Sequence, residues 1–187
     1  MVDKETESLW SHLLGEAMRG EFKGTILETL PGTIMTWAAW KKAYPKTTVL
    51  NLDRTAREFV KEFQETPGRF VLGLRSIKLA KAYPFETLQA ERVVNDVFEE
   101  APIVVLFDRE STGGRAFSRR LEERTLRFVW KKGAVVDEET GSVWTMEGTC
   151  EIGPLKGKRL KEIPAIPSFA KAWSQFYPKS MVYQGAR

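Results

Sequence analysis

Glu91, Asn95, Asp96, Asp108 and Ser111 are the side chains whose types and positions best fit one binding pocket. They flank a continuous apolar run, Ile103 to Phe107, that would hold them from both ends. Carboxylate, amide and hydroxyl oxygens suit a hard cation. Two or three scattered ligands, however, fall short of the six or more that calcium takes, so no metal is assigned. The competing reading of Asn95-Asp96 is a turn in which the side chains bond their own backbone.

Other groups offer less chemistry. Ser111-Thr112-Gly113-Gly114-Arg115 has the glycines of a phosphate cradle but lacks Gly-Lys-Ser/Thr and leads into a strand, so it reads as a turn. Arg115, Arg119, Arg120, Arg124 and Arg127 alternate with Phe117, Leu121, Leu126 and Phe128. Nucleic-acid binding is the sharper reading of that stretch, but apolar residues inward and arginines in water explain it more cheaply. Cys150 and His12 are the chain's single cysteine and histidine, which removes internal disulfides, thiolate clusters and the common zinc sets. A nucleophile at Cys150 would lack a nearby histidine base. No catalytic residue and no cofactor is assigned.

The elements that would position these groups read as α+β, mainly antiparallel sheet with a few short helices. Phe70 to Leu74 and Leu79 to Tyr83 form a hairpin, and Phe85 to Ala90 a helical turn. The run from Pro102 to Phe107 suits a strand buried on both faces. Asp53 begins an amphipathic helix with Ala56, Phe59, Val60 and Phe63 on one face, ended by Pro67-Gly68.

A repeat organises the whole. Val2-Asp3-Lys4-Glu5-Thr6-Glu7-Ser8-Leu9-Trp10 matches Val136-Asp137-Glu138-Glu139-Thr140-Gly141-Ser142-Val143-Trp144. Trp40 with Tyr44-Pro45-Lys46 matches Trp173 with Tyr177-Pro178-Lys179. About 18 of roughly 49 aligned positions are identical. Each copy is expected to run strand, strand, helix, strand: Thr25 to Leu30 is a strand, Thr33 or Thr36 caps a helix, and Thr47 to Leu50 is a strand. Ser168 is expected to cap the second copy's helix. The division is a partial first module over 1–52, the connecting helix over 53–67 and a complete second copy over 68–187. The large rings at Trp10, Trp37, Trp40, Trp144 and Trp173 read as module cores in preference to a carbohydrate platform.

Only the second copy is preceded by the strands of 69–135, so the first lacks a front and leaves an unpaired edge. Met1 is therefore expected to be an internal methionine or a gene-model start, in a parent with two full domains. Self-association or pairing through the incomplete module is the expected partnership. Net charge of +4 and 42% hydrophobic residues fit a globular chain and give little support to nucleic-acid binding. No apolar run is long enough to span a bilayer.

Several motifs resemble the prokaryotic domain-of-unknown-function family DUF3179: Ser8-Leu9-Trp10-Ser11, Gly153 to Gly157, Val71-Leu72-Gly73-Leu74, Ala82-Tyr83-Pro84, Val93-Val94-Asn95-Asp96 and Asp137-x-x-Thr140-Gly141-Ser142-x-Trp144. The resemblance covers the tail of one domain copy and an entire second copy. It brings no established activity, and it implies an exported or lipoprotein setting. The home is then extracytoplasmic if the true start lies upstream, and cytoplasmic otherwise. Family members often carry His-Glu where this chain has Glu91-Arg92, and Cys-Pro-x-Cys-Gly where it has Asp108 to Thr112. Both motifs are replaced here. The resemblance thus implies a degenerate, non-catalytic binding or structural module. The alternative is the remnant of a metal-dependent or redox enzyme whose active domain lies upstream of Met1.

Overall fold

The computed structural model describes residues 1–49 and 65–186. The helix expected over 53–67 lies, up to residue 64, outside the described residues. In chain order the elements are β1 (Leu9–Ser11), β2 (Glu16–Arg19), α1 (Trp37–Ala43), β3 (Phe70–Arg75), β4 (Ala80–Pro84), α2 (Phe85–Glu91), β5 (Val93–Phe98), β6 (Ala101–Asp108) and β7 (Gly113–Ser118). They continue with β8 (Arg120–Leu121), β9 (Arg124–Thr125), β10 (Phe128–Lys131), β11 (Ala134–Asp137), β12 (Val143–Trp144), β13 (Cys150–Ile152), β14 (Glu162–Ile163), β15 (Ile166–Phe169), α3 (Ala170–Phe176) and β16 (Met181–Val182). Nearly every strand pair is antiparallel, and the fold is α+β. The exception is β16, which lies parallel to β4.

Strand β6 is the centre, and its apolar run explains why. Alternate residues of a strand point to opposite faces. Ile103, Val105 and Phe107 enter one core, with Phe70, Leu72, Tyr83, Phe85 and Leu88. Val104 and Leu106 enter a second, with Phe117, Phe128, Trp144, Leu155 and Leu160. The middle sheet, in the order β14-β7-β6-β5, is thus covered on both faces. On one side lies the sheet β10-β11-β12-β13, and on the other the sheet β15-β3-β4-β16. Trp173 of α3 closes the outer face of this last sheet over Val71 and Ala82. At Gly73 a Cβ atom would lie 2.1 Å from the Trp173 ring, so only glycine lets the tryptophan pack so close to β3.

Helix α1 is capped by Thr36, whose hydroxyl accepts from the Ala39 amide. Helix α2 runs one residue beyond the expected turn and stops at Arg92, which has a positive φ of 63°. Three local expectations fail for one reason: a strand exists only where a partner strand lies beside it. Thr25 to Leu30 makes only an isolated bridge at Ile26, whereas its counterpart Glu162–Ile163 becomes β14 by pairing with β7. Residues 47–49 carry no strand, whereas their counterpart becomes β16 by pairing with β4. Ser168 is drawn into β15 by β3 and does not cap α3, whose N-cap is Phe169.

The first copy packs directly on the second. The Thr36 amide donates to Ser111 O (3.1 Å), and the Thr33 hydroxyl to Gly114 O (3.1 Å). Tyr177 donates to Leu13 O (2.8 Å), and Arg75 to Thr29 Oγ1 (2.9 Å).

Candidate binding site

Strand geometry divides the five candidate residues before any chemistry does. Asn95 and Asp96 are neighbours on β5 and therefore face opposite sides of the middle sheet. Asn95 turns toward β10, where its amide donates to Phe128 O (2.6 Å) and its carbonyl accepts from Phe128 N (2.9 Å). A side chain here stands in for a missing pair of ladder bonds. Asn95 is a sheet-to-sheet clip and not the turn cap that the sequence suggested.

Asp96 turns to the other face and accepts from the Tyr83 hydroxyl (2.8 Å) and from Lys81, also on β4. Glu91, the last residue of α2, accepts from the Tyr183 hydroxyl (2.9 Å) and from the Ala186 amide (2.8 Å). The two tyrosine rings lie 5.5 Å apart, and the Lys81 ammonium sits near both, 5.6 Å from one and 6.0 Å from the other. Glu91 and Asp96 therefore share one cluster with Lys81, Tyr83 and Tyr183. Burial, then the charge and hydrogen bond of Asp96, push the Tyr83 phenol far above its ordinary range. Burial, then the hydrogen bond to Glu91, do the same for Tyr183. Both phenols stay neutral donors at physiological pH and cannot act as bases. The cluster can hold the C-terminal segment against β4, with both phenols as hydrogen-bond donors.

Asp108 and Ser111 belong to another feature. The Asp108 carboxylate ends β6 and accepts from the amides of Glu110 (3.1 Å) and Ser111 (3.2 Å) and from the Ser111 hydroxyl. These bonds make the turn into β7, which takes in Ser111 and Thr112; Gly113 to Arg115, read with them as a turn, already belong to β7 and pair with Asp108, Phe107 and Leu106. Ser111 and Thr112 are buried, and the Ser111 carbonyl is the one taken by Thr36 of the first copy. Arg109 pins the same loop to the carbonyls of Gln89 and Ala90 at the end of α2. No hydrogen bond or ion pair among the described residues joins Asp108 or Ser111 to Glu91 or Asp96. No group of three or more potential metal ligands occurs among the described residues.

The arginine stretch also needs a correction. Phe117, Leu126 and Phe128 are inward as expected, but so is Arg115. It sits two residues from Phe117 on β7, so the alternation that buries one buries the other. Its guanidinium is met by Glu162 of β14 (2.9 Å) and by the Tyr44 hydroxyl of the first copy (2.8 Å). Tyr44, Lys81 and Tyr183 were missed in the sequence, and Arg115 was placed in water, because their partners lie far along the chain. Only the Ala82-Tyr83-Pro84 motif pointed toward the tyrosine cluster.

The motif Asp-x-x-Thr-x-Ser-x-Trp proves to be a structural knot, built twice. Asp137 accepts from Thr140 N (2.7 Å), Thr140 Oγ1 (2.8 Å) and Trp144 Nε1 (2.8 Å). Asp3 accepts from Thr6 N (2.7 Å), Thr6 Oγ1 (2.9 Å) and Trp10 Nε1 (2.8 Å). Ser142 and Ser8 then hold the amides of Leu155 and Phe22, each at 3.2 Å. A family profile described as "Protein of unknown function (DUF3179)" matches residues 1–70 and again residues 64–180. The chain belongs to the DUF3179 family. Two matches in tandem agree with the doubled knot, so the family motif at Asp137 marks a fold determinant. No curated protein and no solved structure matches the chain. Among the described residues no helix is long and apolar enough to cross a membrane.

Proposed function

We propose that this DUF3179 chain is a non-catalytic binding module: the second copy is the scaffold, and the first presents an apolar face to a protein partner. One observation carries the reading. Positions that the repeat makes equivalent are buried in the second copy and solvated in the first. Leu160 is 4% exposed and Leu27 51%; Leu155 is 8% exposed and Phe22 42%. Leu30 at 72% and Trp37 at 52% are further exposed apolar side chains of the first copy. Exposed apolar side chains concentrated in one copy fit an interaction surface. The polar candidates support the reading from the other side, since each is engaged in holding turns, strands or the C-terminal segment.

The test is to place lysine at Leu30 and at Trp37 together. The expected outcome is an unchanged melting temperature and a loss of binding by a dye that reports exposed apolar surface. A fall in melting temperature of more than a few degrees would show the face already covered within the chain, and the reading would fail. The exported or envelope-associated setting rests on the family resemblance and is checked by fractionating the source cells.

The enzyme-remnant alternative draws on the Arg109 clamp, which sets the Asp108–Ser111 turn against the end of α2 beside Glu91. Glu91→His, Asp108→Cys and Ser111→Cys combined should then bind zinc in a calorimeter; no binding would end that alternative.

A further inference from the structure

The sheet β10-β11-β12-β13 buries one face, and its other face carries a row of aliphatic side chains. Phe128, Val135, Trp144 and Cys150 point inward to the second core. Their neighbours along each strand point the opposite way. Val129 lies opposite Val136, Val136 opposite Val143, and Val143 opposite Ile152. The register shift between Val143 and Trp144 takes up Glu151, so Ile152 faces out although Cys150, two residues earlier, faces in. Four aliphatic residues thus stand side by side across all four strands. None of them joins any of the three buried cores among the described residues. The three valines are partly exposed, and Ile152 is 63% exposed.

Cations stand at the margins of this row. Lys131, opposite Ala134, is two residues from Val129 and shares its face. Lys132 is exposed in the turn that follows. On the far side Arg159 bridges to Thr149, which precedes the inward Cys150 and so faces out. Lys156 is exposed in the turn just after Ile152. No carboxylate pairs with any of these four cations among the described residues. Of the carboxylates beside the row, Glu138 is paired with Arg127 (2.9 Å) and Glu139 accepts from the Arg127 amide (2.9 Å), while Glu151 is exposed next to Ile152.

We propose that this face of the second copy rests on the surface of an anionic lipid bilayer, with the aliphatic row at the acyl boundary and the four cations among the headgroup phosphates. The composition selects the occupant. Lysines are depleted from protein–protein interfaces, whereas a lysine beside apolar residues lays its stem along them and carries its charge to a headgroup. The row has no aromatic ring, which the stacking of nucleic-acid bases uses. Each cation at an anionic leaflet strengthens binding by about fivefold, and salt screens that part. The aliphatic row adds a part that depends on buried apolar area. No residue of the first copy enters this surface, so it stands or falls apart from the reading above.

The full chain is sedimented with vesicles of phosphatidylcholine containing about 30% phosphatidylglycerol, and with vesicles of phosphatidylcholine alone. Saturable binding to the anionic vesicles is expected, weakened at least about fivefold on the neutral ones. Lys131→Gln with Arg159→Gln should weaken it at least about tenfold. Ile152→Ser removes apolar surface and no charge, and should weaken it at least about threefold. All three side chains are exposed, so the variants should melt with the wild type. The proposal is overturned if the wild type leaves anionic vesicles in the supernatant unaccompanied, or if Ile152→Ser binds them as tightly as the wild type does. Tighter binding to soluble polyglutamate than to the vesicles would also overturn it, because the partner would then be an acidic polypeptide. So would a wild-type dimer in solution that Ile152→Ser splits, because the occupant would then be a second copy.

Discussion

In both copies an aspartate takes the indole N–H of a tryptophan seven residues on, and a threonine and a serine complete the same knot to within about 0.1 Å. Downstream of the knot the copies part company. The second buries Leu155, Leu160 and Trp173 under sheets that residues 69–135 provide, while the first leaves Phe22, Leu27 and Leu30 in water. Local hydrogen bonds are satisfied by nearby sequence and survive wherever the sequence does. Strands and cores need neighbours, and identical residues without them become loop and surface.

The largest expected contrast is at the paired leucines. Leu160→Glu puts a charge into a closed core and should cost about 4 kcal/mol or more. Leu27→Glu should cost less than about 0.5 kcal/mol. Urea midpoints of the two variants measure both. Similar losses would mean that the first copy is as closed as the second.

Next in size is the knot. Asp137 is fully buried, so Asp137→Ala strands the indole and threonine donors and should cost about 3 kcal/mol. Asp3→Ala should cost far less than Asp137→Ala, because water can replace the carboxylate. The Trp10 indole, and then the Thr6 amide, hold the Asp3 carboxyl below its ordinary value of 3.8. A depressed folded pKa means that the contribution is present above pH 3.8 and is lost as the pH falls through the folded value. The Asp3→Ala penalty should therefore fade in acid, which a pH series of urea melts would show.

A smaller effect probes how the copies are joined. Tyr44→Phe removes one partner of the buried Arg115 and should cost about 1 kcal/mol in a urea melt, with the second copy's near-ultraviolet spectrum unchanged.

The smallest effect lies at one backbone position. Gly141 has φ of 69°, and its counterpart Glu7 holds nearly the same angle, 54°, with a side chain. Glu7→Gly should raise stability by up to about 1 kcal/mol, and Gly141→Glu should lower it by a similar amount. Equal melting of wild type and Glu7→Gly would show that the first knot is too loosely coupled to the fold to register strain.

What was legible in the sequence follows the same division. The apolar run of β6 announced a strand buried twice, Thr33 and Thr36 announced a cap that Thr36 makes, and the duplicated Asp-x-x-Thr-x-Ser-x-Trp announced the repeat, because each signal is local. The missing strands at Thr25–Leu30 and 47–49, and the capture of Ser168 by β3, were illegible because pairing partners decide them. For the candidate site, the sequence placed Glu91 and Asp96 near each other in number. It gave no sign of Tyr183 or Lys81, which join them across the fold. Nor could it show that Asn95 faces away from Asp96 until both were known to lie on one strand.

Backbone hydrogen exchange at the strand counterparts tests the difference between the copies most directly. Segments 31–35 and 47–49 should exchange at least about a hundredfold faster than 164–168 and 180–183, whose amides lie in or beside paired strands. Equal protection of the two sets would mean that the first copy is closed like the second, and that it presents no open apolar face.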